Sequence, residues 1–310
     1  MQFQQKEIQK FTNLELIAKQ AVEGFITGLH KSPHHGFSVE FAEHKSYNSG
    51  ESTKHIDWKL YARSDKMYVK RYEEETNLRC RIILDVSASM FFPSTAKRTI
   101  EDNSKLSFSI FSAAALMNLL KRQRDAFGLS LAEEEVLLHT HSKSKTQHQM
   151  QMYNELSKQL QREVPKPGKK SNLVNTLHEI AERIQRRSLV VIFSDMLDNA
   201  DHSVDDIFGA LQHLKHNKHE VILFHVLDKK KEADFSFDNK PYRFVDMETG
   251  EEVRLNPEQY KKELATELTK RVTDLKVKCG QYKIDFVEVD INKSFDEVLL
   301  PFLIKRKKLF

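Results

Sequence analysis

Three apolar runs of strand length constrain this chain more than any other feature: Ile82-Ile83-Leu84, Leu189 to Phe193 (LVVIF) and the run inside EVILFHVLD at 220–228. Runs of this kind, without polar alternation, read as strands buried on both faces, the habit of parallel sheets covered by helices on each side. Helix-length segments separate them. The pattern predicts an α/β fold, an open, doubly wound, mostly parallel sheet. Ligands of such sheets bind outside the carboxyl ends of the strands. Two of the runs finish in an acid there: Asp85, which begins DVSASM, and Asp195, which follows Ser194.

The first of these stretches carries chemistry. Asp85, Ser87 and Ser89 stand at alternate positions, and a loop curling off a strand can turn all three toward one point. They offer only hard oxygen donors, a set that suits Mg²⁺ and its preference for octahedral oxygen ligation. Asp195 can converge on the same rim at a switch point of the sheet. Ser171 precedes a helix, where N-capping and ion coordination are both open to it; capping or turn formation is likewise the alternative for Ser87 and Ser89.

Elsewhere the periodicity predicts helices over 13–30 (with Asn13 as N-cap), 104–122 (capped by Ser104), 146–162, 172–187, 204–215, 257–278 and 294–305. Strands are expected at 37–47, 67–75, 127–132 and 283–289, with 136–142 as an antiparallel partner at the sheet edge. A β-hairpin is expected at 242–255, inside an insertion at about 235–256, with Lys229–Asp234 as a charged linker into it. Trp58, the one tryptophan, reads as a buried anchor with Asp57 and Arg63 holding an N-terminal arm, 1–78, to the main domain, 79–310.

Composition narrows the function classes. The 49 basic and 45 acidic side chains leave a net charge of +4, too balanced to point to nucleic acid. The Lys229–Lys231 run and the basic C-terminal tail at Lys305–Lys308 read as solvated faces, with a membrane surface or an acidic partner as the alternative for the tail. No apolar run reaches membrane-spanning length and no signal-peptide core is present, so a cytoplasmic location is expected. Cys80 and Cys279 read as reduced thiols and not as a disulfide or zinc framework. His139 with His141, and His213, His216 and His219, lack an obvious third ligand.

The stretch DVSASM resembles the metal-ion-dependent adhesion site (MIDAS) of von Willebrand factor A-type domains. YNSGESTKHIDWKLYARSDKMYVKRYEEE, at 47–75, resembles the block preceding that site in the bacterial domain-of-unknown-function-58 family. The likeness runs from about Leu14 to the last helix. It implies a von Willebrand factor A-like, Rossmann-like sheet and a metal, Mg²⁺ or Mn²⁺, held by Asp85, Ser87, Ser89, Ser171 and Asp195. Ser171 stands where related domains usually carry Thr; the hydroxyl is kept, but the methyl that stiffens χ1 is lost. The resemblance also implies an open coordination position completed by a partner's acidic side chain, and a MoxR-type AAA+ ATPase as that partner.

The resulting expectation is a non-catalytic, metal-dependent protein-interaction module, an adaptor in complex assembly or chaperone-like maturation. Two other readings stand beside it: a Mg²⁺-dependent phosphatase-like hydrolase and a metal-free scaffold. A haloacid-dehalogenase-type phosphatase needs a second Asp two residues after the first, and Ser87 occupies that position. The phosphate loop GxxxxGK[ST] and the esterase elbow GxSxG are both absent from the sequence.

Overall fold

A computed structural model describes residues 14–23, 43–46, 58–64, 66–71, 78–93, 104–165, 167, 172–197, 204–294 and 296–309. The chain divides into two compact units, one comprising 1–26 with 78–310 and the other 27–77.

In the larger unit, β3 (Arg79–Asp85), β4 (Ala126–Ala132), β5 (Val136–His139), β6 (Leu189–Ser194), β7 (Glu220–Leu227) and β10 (Asp285–Asp290) form one sheet. Its order is β10-β7-β6-β3-β4-β5. Every neighbouring pair is parallel except β4 and β5, so β5 is the antiparallel edge the sequence predicts. The apolar runs form the central strands because both of their faces are covered. Ile82, Leu84, Val191, Phe193, Ile222 and Phe224 enter one core with α1 (14–23), α3 (Lys105–Arg122), α4 (Thr146–Gln161) and α8 (Asp296–Leu309). Ile83, Val190, Ile192, Val221 and Leu223 enter the other with α5 (Leu173–Arg183), α6 (Val204–His216) and the end of α7 (Pro257–Gln281). Successive residues of one strand thus serve opposite cores, as the period of two demands.

The winding changes direction between β3 and β6. From β3 the chain crosses through α3 to β4 on one side, then returns to place β6 on the other side of β3. The crevice above the carboxyl ends of these two strands is therefore the switch point.

Local chemistry sets the element ends. Ser104 caps α3 in a reciprocal capping box with Ser107, and Pro257 opens α7 behind the Asn256 cap. β8 (Tyr242–Val245) and β9 (Glu252–Leu255) form the predicted hairpin, with Gly250 supplying a φ of +78° in its turn.

Four expectations change. Helix α5 stops at Arg183 instead of 187: Ile184 turns extended, and Arg187 has a φ of 61°. Lys229–Ala233 is a single π-helical turn, not a linker: Asp228 caps it by accepting the Lys231 N–H, and Glu232 is drawn inward. The arm expected at 1–78 is divided, since Leu14, Ala18 and Val22 of α1 lie in the main core beside β3.

In the smaller unit, described by itself, β1 (Glu43–Ser46) pairs antiparallel with β2 (Tyr68–Arg71), and α2 (Trp58–Ser64) lies between them in sequence. There the fourth expectation fails. Trp58 is not buried: it is 60% exposed and meets Tyr61 edge-on, one turn along a two-turn helix too short to enclose an indole. Asp57, Asn13 and most of 37–47 fall outside the described residues.

Candidate functional site

Strands β3 and β6 run parallel with Leu84 opposite Phe193, which sets Asp85 level with Ser194 and leaves Asp195 one residue further on. Both acids therefore reach the same rim. Asp85, 1% exposed, accepts the Ser87 N–H at Oδ1 (3.0 Å) and the Ser194 hydroxyl at Oδ2 (2.6 Å). The Ser87 and Ser89 hydroxyls are 3.1 Å apart at the start of the 3-10 turn Ala88–Phe91. Asp195 accepts the Leu197 N–H at Oδ1 (3.0 Å), and its carbonyl oxygen accepts His225 Nε2 at 2.9 Å. Ser171, the fifth predicted residue, lies outside the described residues.

Burial, reinforced by the negative charge of Asp195, pushes the Asp85 carboxyl up to about 7, although the Ser194 and Ser87 hydrogen bonds oppose this. His225 goes the other way: burial pushes it down to about 4, with Asp195 as a partial counterweight. Backbone strain adjoins the site. Met196 has a φ of 51°, in the left-handed region, and its N–H donates to Ser194 Oγ at 2.8 Å.

The structure adds a group that the sequence reading missed. Lys105, the first residue of α3, extends its ammonium into the rim, 2.7 Å from Asp195 Oδ2 and 2.6 Å from Glu232 Oε1. It is 1% exposed. Burial alone would lower its pKa, but the two carboxylates more than offset this and hold the ammonium above its ordinary range. Glu232 is raised by burial and eased back by Lys105. One signal was present in the sequence: the first turn of a helix favours acids, so a lysine just behind a serine cap is out of place there. Glu232 gave none, hidden in the run KKKE.

These groups fit a hard cation in donor type. Asp85, Ser87 and Ser89 present oxygen alone, and burial together with the neighbouring Asp195 charge disfavours ionisation of the Asp85 carboxyl in the absence of a cation. Asp195 is already engaged by Lys105. Among the described residues no three His, Cys, Asp or Glu side chains gather as a metal-holding group. Of the histidines in the two sets, His139 meets Ser130, His219 accepts the Ser188 N–H, and His213 meets His178. Cys80 and Cys279 are both buried, and neither is in a disulfide. Beside the rim opens a groove of about 460 Å³, with Ser89, Lys105 and Glu232 along one part and Asp246, Glu248 and Glu251 of the hairpin turn along another.

Comparison with known proteins shows what this chain is similar to. The chain is 24% identical over 217 residues to the uncharacterized protein Rv1480 of Mycobacterium tuberculosis, a match covering 70% of this chain and 64% of that protein. It thus spans under two thirds of that relative's length. Among solved structures, the conserved hypothetical protein BatB of Bacteroides thetaiotaomicron matches at 14% identity and a TM-score of 0.43, covering 75% of this chain and all of that one. An aerotolerance-related membrane protein of Bacteroides fragilis matches at 13% and 0.40, covering 71% and 99%. A von Willebrand factor type A protein of Catenulispora acidiphila matches at 13% and 0.33, covering 63% and 42%.

These comparisons overturn the cytoplasmic expectation, because similar structures are named as membrane proteins, the Bacteroides fragilis protein among them. Among the described residues no helix is long and apolar enough to cross a membrane. The model of the family described as protein of unknown function DUF58 matches residues 43–275. With three quarters of its length matched, and with the sheet and rim described above, this chain belongs to the DUF58 family.

Proposed function

We propose that this chain is a protein-interaction module that engages its partner at the rim formed by Asp85, Ser87, Ser89 and Asp195. One observation carries the reading. A carboxylate buried beside a second carboxylate and two hydroxyls, at the switch point of the sheet, is pushed up to about 7 by burial and by that neighbour's charge. A hard divalent cation, Mg²⁺ or Mn²⁺, would relieve that cost.

Asp85, Ser87 and Ser89 would hold the ion, with Ser171 and Asp195 completing the set that the family resemblance implies. When bound, the ion supplies an incompletely neutralised positive charge that attracts an acidic side chain of the partner. Ser194 and the Ser87 N–H orient the Asp85 carboxylate for this role. The partner favoured by the resemblance is a MoxR-type AAA+ ATPase, with the chain as a non-catalytic adaptor in assembly or maturation. Where a phosphatase of the Asp-nucleophile type carries its proton donor, this chain has Ser87.

Calorimetric titration of Mg²⁺ into the wild type and Asp85→Ala tests the reading. Heat from the wild type that vanishes in the variant is expected, and equal heats would overturn it.

A further inference from the structure

We propose that Lys105 is a tethered competitor for the divalent cation: it holds the Asp195 carboxylate until an ion is taken up, then yields it and is retained by Glu232. This rests on the metal-dependent reading of the rim and deepens it, since it says what the ion must displace.

The position of Lys105 is costly on two separate counts. Its ammonium is removed from water, and it stands at the amino end of α3, where the helix dipole disfavours a cation. A side chain survives there only if its partners compensate, and it has two, Asp195 and Glu232, at 2.7 and 2.6 Å. The Phe92 ring adds a third contact, 5.8 Å from the ammonium, and the Phe92 carbonyl accepts the Lys105 N–H at 2.8 Å. Lys105 is thereby tied by its backbone to the end of the turn that carries Ser89.

Charge counting gives the reason for exchange. Lys105 pairs with two carboxylates, Asp195 and Glu232, and neutralises one charge of the two; with Asp85, which feels the charge of Asp195, also ionised, the group carries a formal −2, matched by a single divalent ion. Glu232 is the partner suited to keep the lysine. It belongs to the turn after β7, is held by the Asp228 N–H on its other oxygen at 2.8 Å, and is the more exposed of the two acids, 18% against 0%.

The test measures binding, not turnover. Free Mn²⁺ is followed by electron paramagnetic resonance during titration of the wild type, Lys105→Met, Glu232→Gln and Asp85→Ala, with circular dichroism confirming that each is folded. Lys105→Met is expected to bind Mn²⁺ about tenfold or more tightly than the wild type, because Asp195 is freed. Glu232→Gln is expected to bind about tenfold more weakly, because a displaced lysine has lost its second partner. Opposite signs for two variants of one ion pair are not what a merely structural bridge produces. Should Lys105→Met not fold, the Glu232→Gln affinity decides alone, and a value equal to or tighter than wild type overturns the exchange. If the wild type binds Mn²⁺ and neither variant shifts its affinity, the exchange fails while the metal-dependent reading stands. If neither the wild type nor folded Lys105→Met binds, both fall. Binding that is undiminished in Asp85→Ala instead sinks the rim as the ion's location.

Discussion

Asp85 and Asp195 stand at the ends of β3 and β6; Asp228 and Asp290 stand at the ends of β7 and β10, on the same rim of the same sheet. All four are buried. The second pair is quenched by neutral dipoles from its own loops. Asn292 places its amide nitrogen 2.9 Å from an oxygen of each acid, and backbone N–H groups of Lys231 and Asn292 add donors at 3.2 and 3.1 Å. Among the described residues the first pair has no amide bridge of that kind, and it receives an ammonium from a helix 90 residues away in sequence. An acid at a strand end is therefore not a site in itself. What matters is whether its charge is spread over fixed local dipoles or balanced by a charge that can be exchanged.

Removing each balancing group in turn can break that comparison. Lys105→Met should have the largest effect, leaving Asp195 and Glu232 buried without a cation at a cost of about 3–5 kcal/mol in urea unfolding. A loss under about 1 kcal/mol would mean that neutral donors already suffice there.

His225 lies on β7 between the two pairs and donates to the Asp195 carbonyl. Its ring titrates near 4 in the folded chain against an ordinary 6.5, so the neutral ring contributes stability that is present above 6.5 and is lost as the pH falls through about 4. His225→Gln should flatten the difference between unfolding curves over that window, by up to roughly 1.4 kcal/mol per pH unit. Parallel curves for variant and wild type would show that the ring charges freely.

Asn292→Ala should have the smallest effect, about 1–2 kcal/mol for two lost hydrogen bonds. Mn²⁺ affinity should not change. If that affinity moves as it does in Lys105→Met, the two acid pairs are one electrostatic unit, and the contrast drawn between them is wrong.

The central strands were legible because each is apolar on both faces, a pattern that few other environments tolerate. Asp85 and Asp195 were legible for the same reason: a charge that closes such a run marks the point where the strand meets solvent or a ligand. Ser194 was visible but passed over, since only the register of β3 against β6 shows that it, not Asp195, lies level with Asp85. Trp58 was misread because residue type suggests burial, while the two turns of α2 provide no enclosure for it. Helix α5 was drawn too long for a related reason. Periodicity reports which face is apolar, not where the chain must turn to enter the next strand.

By itself, then, the sequence determined the sheet, its two cores and the acids at its rim, because these follow from the spacing of apolar residues along short stretches. Only the tertiary structure decided what balances those acids. Lys105, Asp195 and Glu232 belong to three separate elements, and an ion pair between them is a matter of distance in space. Its strength depends on the removal of water around it, which no local pattern of residues encodes.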